Sequence, residues 1–222
     1  MVSGQQTSDR RGRMIILSAP SGSGKTTIAR AMAERHTQLA ISVSHTTRAP
    51  RDTEREGRDY FFVDRHRFLE MVTNGEFLEH AEVFNHLYGT SRSAVEQHRN
   101  AGISVILVID WRGARSVRQQ VHDAVSVFIV PPSYAVLKRR LTVRGQDSDV
   151  AVRMRLREAL EEINHHGEYD HLVVNDCFET ALGECEGLIF SGIAPTSGNY
   201  FDADSFMRSA KNGTLASNDN SD

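Results

Sequence analysis

The predicted fold is decided by residues 15–27, which read IILSAPSGSGKTT. A short apolar run leads into a glycine-rich turn, and the turn leads into a helical pattern, so strand, loop and helix follow one another. The loop fits the pattern G-x-x-x-x-G-K-[ST], except that Ala19 stands at the position of the first glycine. Gly22 and Gly24 let successive backbone N–H groups turn towards a phosphate, and the start of the helix adds its positive end. Lys25 is placed to reach the β- and γ-phosphates and Thr26 to offer a hydroxyl group to Mg²⁺, so we predict a nucleoside triphosphate site.

Further apolar runs of the buried-strand type recur along the chain and alternate with helical patterns. The runs are Met14–Ser18, Ile103–Ile109, Val125–Val130 and Leu172–Val174. This alternation predicts an α/β fold with a parallel sheet wrapped by helices. Residues 40–100 break the rhythm with short β-like pieces and charged turns, which indicates an insertion with its own binding surface.

The strand predicted at Ile103–Ile109 is followed by Asp110. An acidic residue at this place often lies near Mg²⁺ in folds with such a phosphate loop. An aspartate after a strand also often does no more than cap the next helix, here Arg112–Gln120. Both interpretations stay open at this stage.

Composition and charge are those of an ordinary enzyme. Of the 222 residues, 39% are hydrophobic and 25% are charged, and the net charge is −3. The near balance argues against a nucleic-acid coat or a membrane-surface binder. Cys177 and Cys185 have no ligand-type spacing, which favours free thiols in a reducing compartment. With no apolar run long enough to span a membrane, we expect a cytoplasmic protein, and we leave its homo-oligomerisation open.

Both ends of the chain are polar. Residues 1–12 are predicted to be a flexible leader. Residues 193–222 are rich in Ser, Asn, Asp, Gly and Ala, and we expect a flexible tail with at most a short helix around Tyr200–Ala210.

A second candidate site lies in the insertion. Arg48 and Arg51 flank Pro50, whose ring fixes one backbone angle. Two planar guanidinium groups held this way can clamp a phosphate monoester. The alternative is a pair of ordinary surface arginines in a turn.

Residues 46–62 favour the first interpretation. They fit T-[ST]-R-x-x-R-x-x-E-x-x-G-x-x-Y-x-F at every constrained position, and this pattern resembles the signature of guanylate kinases. The resemblance covers residues 13–190 and continues through Glu76–Ala81, Tyr88–Thr90, Ile109–Ala114, Arg144–Gly145, Arg155–Leu156, Glu168–Asp170 and Val174–Asp176. The chain is most similar to the bacterial enzymes, in which an alanine such as Ala19 is common at the start of the loop.

The resemblance implies a P-loop nucleoside monophosphate kinase fold over residues 13–192, with a small β-rich GMP-binding region at about 42–98 and a helical lid at about 139–158. It also implies the reaction ATP + GMP ⇌ ADP + GDP with Mg²⁺ as cofactor, and ATP and GMP as the partners. Whether dGMP is used as well is an added expectation.

Residue roles carried over by position form two sites. The GMP-binding residues are Ser44, Arg48, Arg51, Tyr60, Glu79, Tyr88, Thr90 and Asp110. The ATP-binding residues are Ala19, Pro20, Ser21, Gly22, Ser23, Gly24, Lys25, Thr26, Thr27 and Asn175. The catalytic residues are Lys25, Arg51, Arg144 and Arg155, and the Mg²⁺ ligand is Thr26, with Asp110 as a further candidate.

The chemistry of guanine supports the role of Glu79 independently. The Watson–Crick edge of guanine presents N1–H and N2–H₂ side by side, and a carboxylate is their natural bidentate acceptor. Adenine presents an acceptor at N1 and would meet Glu79 with repulsion.

The sequence departs from the family pattern at several positions. Val108 stands where many relatives have an acidic residue, Arg112 replaces a frequent Gln, and His166 replaces a frequent Tyr. His165, His166 and His171 form a histidine group, but no cysteine or carboxylate completes it as a metal site.

Two other classes of protein compete with the kinase prediction. A catalytically silent guanylate-kinase-like interaction domain usually loses its phosphate-loop residues, whereas Lys25 and Thr26 are both present. A related kinase with a sugar-phosphate acceptor would have no use for Ser44, Glu79 and Thr90 together.

Overall fold

The computed structural model of the protein describes residues 11–83, 85–143, 149–192 and 201–215. Its strands are β1 (Met14–Ser18), β2 (Leu39–Ile41), β3 (His45–Thr46), β4 (Phe61–Phe62), β5 (Phe77–Val83), β6 (His86–Ser91), β7 (Ser104–Val108), β8 (Val125–Val130) and β9 (His171–Val174). Its α-helices are α1 (Lys25–Arg35), α2 (Arg65–Thr73), α3 (Arg92–Asn100), α4 (Trp111–Gln120), α5 (Tyr134–Val143), α6 (Asp149–Asn164), α7 (Phe178–Glu186) and α8 (Ala203–Leu215).

The main sheet has five strands in the order β2-β7-β1-β8-β9. β2 pairs with β7 and β8 with β9, both in parallel. All five residues of β1 are buried, as expected of a central strand covered on both faces. Helices connect these strands, so the predicted α/β fold with a parallel sheet is confirmed.

The chain divides into two compact units. The first consists of Met1–Ile15, Ala33–Leu107 and Arg115–Ala124. It holds the second sheet, which has four strands in the order β4-β3-β6-β5. β6 runs antiparallel to both β3 and β5, and the buried side chains of Phe68, Phe77 and their neighbours form a cluster beside this sheet. This sheet lies within the region predicted as the insertion.

The second unit consists of Ile16–Met32, Val108–Ala114 and Val125–Asp222. It contains the glycine-rich loop, which begins directly after β1 and ends at the first residue of α1. Helices α5, α6 and α8 pack on one another in this unit. Their shared cluster includes Tyr134 and Leu137 of α5, Ile163 of α6 and Phe206 of α8.

Helix α8 corrects the expectation for the tail. Asp202 caps the helix, since its side chain accepts a hydrogen bond from the backbone N–H of Ser205 at 2.8 Å. Phe206 and Ala210 are 5% and 2% exposed. The prediction of an unpacked tail is therefore wrong for residues 201–215. Two buried side chains in an otherwise polar segment produce too weak an apolar periodicity to predict a packed helix. The flexible leader expected over residues 1–12 is wrong at Gly12, which is buried and donates a hydrogen bond to the carbonyl of Arg99. Residues 1–10, 193–200 and 216–222 lie outside the described residues.

The backbone just before β1 is held in place by Arg99, a buried cation on α3. Its Nε donates to the carbonyl of Gly12 at 2.9 Å, and the N–H of Gly12 donates to the carbonyl of Arg99 at 2.7 Å. Its remaining nitrogens face Glu96 and Asp123, the latter at 3.0 Å. A Cβ built on Gly12 would lie 2.0 Å from the carbonyl oxygen of Ile103, so the backbones approach as closely as they do only because this residue has no side chain.

We expect Gly12→Ala to lower the free energy of unfolding by about 2–4 kcal/mol, because the methyl group meets rigid backbone rather than a side chain that could rotate away. Gly183→Ala is the matched control, since nothing lies within 4 Å of a Cβ on this residue in α7. It should raise the free energy by about 0.5–1 kcal/mol through helix propensity. Urea unfolding measures both, and equal effects of the two substitutions would contradict the tight packing at Gly12.

Candidate active site

The glycine-rich loop has the backbone that a phosphate cradle needs. Gly22 and Gly24 have φ values of 89° and 90°, a region that favours glycine. Lys25 begins α1, so the N–H groups of its first turn are left for a ligand. Thr26 and Thr27 follow in this turn and are exposed, whereas Ala19 and Pro20 are buried.

Asn175 braces this loop from the end of β9. Its side-chain amide donates to the carbonyl of Ser23 at 2.7 Å, and its own N–H donates to the carbonyl of Val130 at 2.8 Å. Arg140 donates to its carbonyl at 3.0 Å. A Cβ on Gly24 would lie 2.5 Å from the Asn175 amide nitrogen, so the loop fits only without a side chain there. The amide of Asn175 supports the loop, and its contact with adenine stays a prediction.

The side chain of Lys25 lies at the end of β7. Its Nζ donates to the carbonyl of Ile109 at 3.3 Å, and the hydroxyl group of Ser18 donates to the same carbonyl at 2.8 Å. The carbonyl of Ile109 thus accepts hydrogen bonds from both Ser18 and the ammonium group of Lys25.

Asp110 caps the helix that follows it. Its Oδ1 accepts from the N–H of Gly113 at 2.9 Å, and its Oδ2 pairs with Arg112 at 3.2 Å. Arg112 also lies over the ring of Trp111, 4.4 Å from the ring centre. Of the two interpretations left open for Asp110, the cap is the one with hydrogen bonds in the structure. Its part in binding Mg²⁺ or GMP stays a prediction.

A carboxyl group without an assigned role lies near Lys25. Burial raises the pKa of Glu162 on α6 to about 7, with Asp110 and Glu158 raising it further and Lys25 and Arg112 acting in the opposite direction. Burial also raises the pKa of Glu158. Sequence reasoning did not single out Glu162, because it lies in a helix rich in exposed charges.

The donor set suits Mg²⁺. Thr26 presents an exposed hydroxyl oxygen in the first turn of α1. Mg²⁺ prefers such hard oxygen ligands, keeps several waters and takes the rest of its shell from substrate phosphates. One protein hydroxyl beside a phosphate cradle therefore fits the ion. Over the described ranges, no three or more His, Cys, Asp and Glu side chains are grouped to hold a metal ion.

Among the described residues, the histidine group is held by packing and hydrogen bonds. The ring of His165 stacks on Trp111 at 3.7 Å between centres, and its Nδ1 lies 2.7 Å from Glu168. His166 contacts the carbonyl of Ile163 at 2.8 Å through its Nδ1.

Five of the eight predicted GMP-binding residues lie on the small sheet of the first unit or directly before its strands, whereas Asp110 belongs to the second unit. Ser44 and Tyr60 directly precede β3 and β4, Glu79 lies on β5, and Tyr88 and Thr90 lie on β6. β3 and β6 are neighbours in this sheet, and so are β6 and β5. Residues separated by up to 46 positions therefore share one sheet.

Glu79 and Thr90 form a buried pair across this sheet. They face each other in the β5–β6 register, and the hydroxyl group of Thr90 donates to Glu79 Oε1 at 2.5 Å. Glu79 is 5% exposed and Thr90 is fully buried. A carboxylate is rarely buried to this extent unless it is paired or serves a ligand, so a functional role is favoured over a surface charge.

Arg48 is held in place by Glu54. Its Nη2 donates to both carboxylate oxygens of Glu54 at 2.8 and 2.9 Å, and its Nη1 donates to the carbonyl of Ala49 at 2.7 Å. Partial burial pushes the pKa of Glu54 up, but hydrogen bonds from Arg51 N–H and Arg48 outweigh it and leave this pKa below its ordinary value. Arg48 also lies over the ring of Tyr60, 5.4 Å from its centre.

Sequence reasoning named Glu54 only as part of a motif and missed this contact. Its position three residues after Arg51 and six after Arg48 could have indicated the pair. Arg51 is well exposed. Arg155 is half-buried on α6, and Arg144 lies outside the described residues.

No helix in the described part of the chain is both long and apolar enough to cross a membrane.

Comparisons with known proteins agree with this geometry. The sequence model of the guanylate kinase family matches residues 11–191. The chain is 50% identical over 177 residues to a guanylate kinase from Alkalilimnicola ehrlichii, covering 80% of this chain and 87% of the relative. It is 47% identical over 184 residues to a guanylate kinase from Legionella pneumophila, covering 83% and 88%.

A solved structure is similar as well. The crystal structure of guanylate kinase from Anaplasma phagocytophilum superposes with a TM-score of 0.69 at 36% identity, covering 86% of this chain and 89% of that one. The glycine-rich loop and the four-stranded sheet agree with these matches, and the chain belongs to the guanylate kinase family.

Proposed function

We propose that the protein is a guanylate kinase that transfers the γ-phosphoryl group of ATP to the phosphate of GMP, with Mg²⁺ as cofactor. The reaction is ATP + GMP ⇌ ADP + GDP, a step of purine nucleotide metabolism, and dGMP is included as an acceptor. The observation that carries the proposal is the buried Glu79–Thr90 pair on the same sheet as Tyr88, in a chain with an intact phosphate loop.

Guanine is recognised through the carboxylate of Glu79. Thr90 donates to one of its oxygens and so helps to orient the group, and a carboxylate has about four lone-pair sites, enough for several donors. Adenine, with an acceptor at N1, would bring a lone pair against this negative charge. Ser44, at the start of the neighbouring strand, completes the proposed guanine-reading set.

The GMP phosphate is bound by Arg48, Arg51, Tyr60 and Tyr88. Glu54 holds the guanidinium of Arg48 and the backbone of Arg51, so the binding groups are ordered before the ligand arrives. Arginine forks suit phosphate oxygens because they donate two parallel hydrogen bonds.

The acceptor needs no general base. The second pKa of a phosphate monoester is near 6, so GMP is mostly a dianion at neutral pH and is already a nucleophile. The protein therefore has to position two anions and neutralise their charge. Arg48 and Arg51 reduce the repulsion on the acceptor side.

On the donor side, the N–H groups of the glycine-rich loop and Lys25 bind the phosphates of ATP. Thr26 would hold Mg²⁺, which when bound neutralises charge on the β- and γ-phosphates. Arg155, and Arg144 beyond the described residues, are proposed to stabilise the charge of the transferred group. The cytoplasm is the proposed location, since both Cys177 and Cys185 are free thiols.

A coupled assay of ADP release tests the proposal against its alternatives. GMP and dGMP should be phosphorylated, and AMP, CMP, UMP and ribose phosphates should not. Turnover of a ribose phosphate would instead identify a sugar-phosphate kinase, and the absence of turnover with every acceptor would identify a silent binding domain.

Replacing Glu79 tests guanine recognition directly. In Glu79→Ala the two guanine donors lose charged hydrogen bonds worth about 1.5–3 kcal/mol each. We expect kcat/KM for GMP to fall by about 10²–10³, with a much smaller change in the KM for ATP. Glu79→Gln should also fail with GMP but discriminate less against AMP, because its amide turns one acceptor into a donor. Glu82→Gln, an exposed change on the same strand, is the control, and near-wild-type GMP kinetics in a Glu79 variant would refute the assignment.

Replacing Lys25 separates catalysis from acceptor binding. Lys25→Met removes a cation that serves only the donor phosphates, so kcat should fall by about 10²–10³ or more while the dissociation constant for GMP stays within about twofold. Lys211→Met removes an exposed lysine and should change neither quantity. Calorimetric titration with GMP and steady-state assays give the two readouts. Undiminished turnover by Lys25→Met would contradict the mechanism.

Glu162 should make stability depend on pH. Its folded pKa of about 7 lies above the ordinary value of 4.5, so the folded protein binds more protons than the unfolded chain between these values. The contribution of Glu162 to stability is therefore lost as the pH rises from about 4.5 to about 7. The uncharged side chain of Glu162→Gln has no such loss.

The free energy of unfolding of Glu162→Gln, relative to that of the wild type, should thus increase by about 1–3 kcal/mol between about pH 5 and about pH 8. Urea unfolding at both pH values measures it. Glu161→Gln, at a well-exposed position of the same helix, should shift stability by less than about 0.5 kcal/mol at either pH. A constant difference between Glu162→Gln and wild type across this range would show that Glu162 ionises normally.

A further inference from the structure

Helix α8 lies outside the part of the chain that matches the family. The family model ends at residue 191, and α8 spans Ala203–Leu215. Its packing is nevertheless that of a core element. Phe206 and Ala210, one helical turn apart, are both buried in the cluster formed with α5 and α6. Arg208 and Ser209 on the other face are exposed.

The segment leading into α8 adds a second attachment. Phe201 packs against two clusters, the one shared by α5, α6 and α8 and the one formed by Phe128, Val130 and Val174 of the main sheet. Its ring lies 5.5 Å from Phe206 and 5.7 Å from His166, measured between centres. The helix is therefore attached both to the two neighbouring helices and to strands β8 and β9.

Helix α8 shares its cluster with the side chains that lie against the glycine-rich loop, and the ring of Phe206 lies 6.3 Å from that of Tyr134 on α5, measured between centres. Leu137 and Leu141 of α5 are fully buried members of the same cluster as Phe206. A Cβ built on Gly22 would lie 3.1 Å from Leu141 Cδ2 and 3.3 Å from Leu137 Cδ1. The two leucines thus form the wall against which the loop turns at its first positive φ angle.

We propose that α8 is a positioning element for the donor nucleotide: by packing on α5 through Phe206 and Ala210, it holds Leu137 and Leu141 against Gly22 and so fixes the shape of the phosphate loop. Protein interiors are close-packed, so a cavity at Phe206 is filled by movement within its cluster, to which both leucines belong. The loop then samples conformations in which its N–H groups no longer converge, and the binding of ATP weakens. Binding of GMP does not involve this cluster.

The test compares nucleotide affinities of full-length variants at a temperature where each is folded. For Phe206→Ala, we expect the dissociation constant of a non-hydrolysable ATP analogue to rise about five- to thirtyfold and that of GMP to stay within about twofold. Phe206→Leu should restore the affinity for the analogue to within about threefold of wild type. Arg208→Ala, on the exposed face of α8, should change neither constant.

A folded Phe206→Ala variant with a lower melting temperature but wild-type affinity for the analogue would overturn the inference, since α8 would then contribute only stability. The inference rests on the proposed donor site. Failure of the wild type to bind the analogue would overturn the proposed function and this inference with it, whereas equal binding by wild type and Phe206→Ala would overturn the inference alone.

A measurement on the wild-type protein covers the case in which Phe206→Ala does not fold. Coupling between two sites is reciprocal, so the ATP analogue should slow amide hydrogen exchange in residues 203–212 by about threefold or more, and GMP alone should not. Unchanged exchange in α8 on binding of the analogue would overturn the inference.

Discussion

The shape of the glycine-rich loop depends on one buried hydrogen bond, from the side-chain amide of Asn175 to the carbonyl of Ser23. The loop turns through two glycines at positive φ and has few side chains of its own with which to hold that shape. The support comes from outside, because Asn175 is itself tied to Val130 of β8. The space left by Gly24 is the space that this amide needs. The sheet therefore sets the geometry of a loop whose sequence supplies only the freedom to adopt it.

The two proposed substrate sites use charge in different ways. At the proposed GMP phosphate site, Arg48 is already paired with Glu54. Its guanidinium is therefore ordered, but some of its donors are already in use. Near Lys25, by contrast, Glu162 is a carboxyl group whose burial raises its pKa to about 7, so that its negative charge is only partly present at neutral pH. The first arrangement orders a binding group, and the second limits the negative charge close to a site that has to accept a triphosphate.

Whether a structural feature could be predicted from the sequence depended on how far apart along the chain its residues lie. The glycine-rich loop is local, and its spacing alone was sufficient to predict the order of strand, loop and helix that the structure shows. The pair of Glu79 and Thr90 depends on strand register, and only resemblance to a family pointed to it before the structure. Helix α8 was underestimated because, over residues 203–212, the buried side chains are Phe206 and Ala210 among mostly polar neighbours, and they pack against helices that are distant in sequence. The bond from Asn175 to the loop could not be read from either segment alone.

That bond joins residues 152 positions apart, which has a consequence for the order of synthesis. The ribosome makes the glycine-rich motif about 150 residues before it makes the brace. Non-local contacts form late, because the entropy of closing a long loop is lost before the contact can repay it. A nascent chain thus contains the whole phosphate-binding motif long before it has a phosphate-binding site. Fragments left by interrupted translation carry the motif without the support that shapes it.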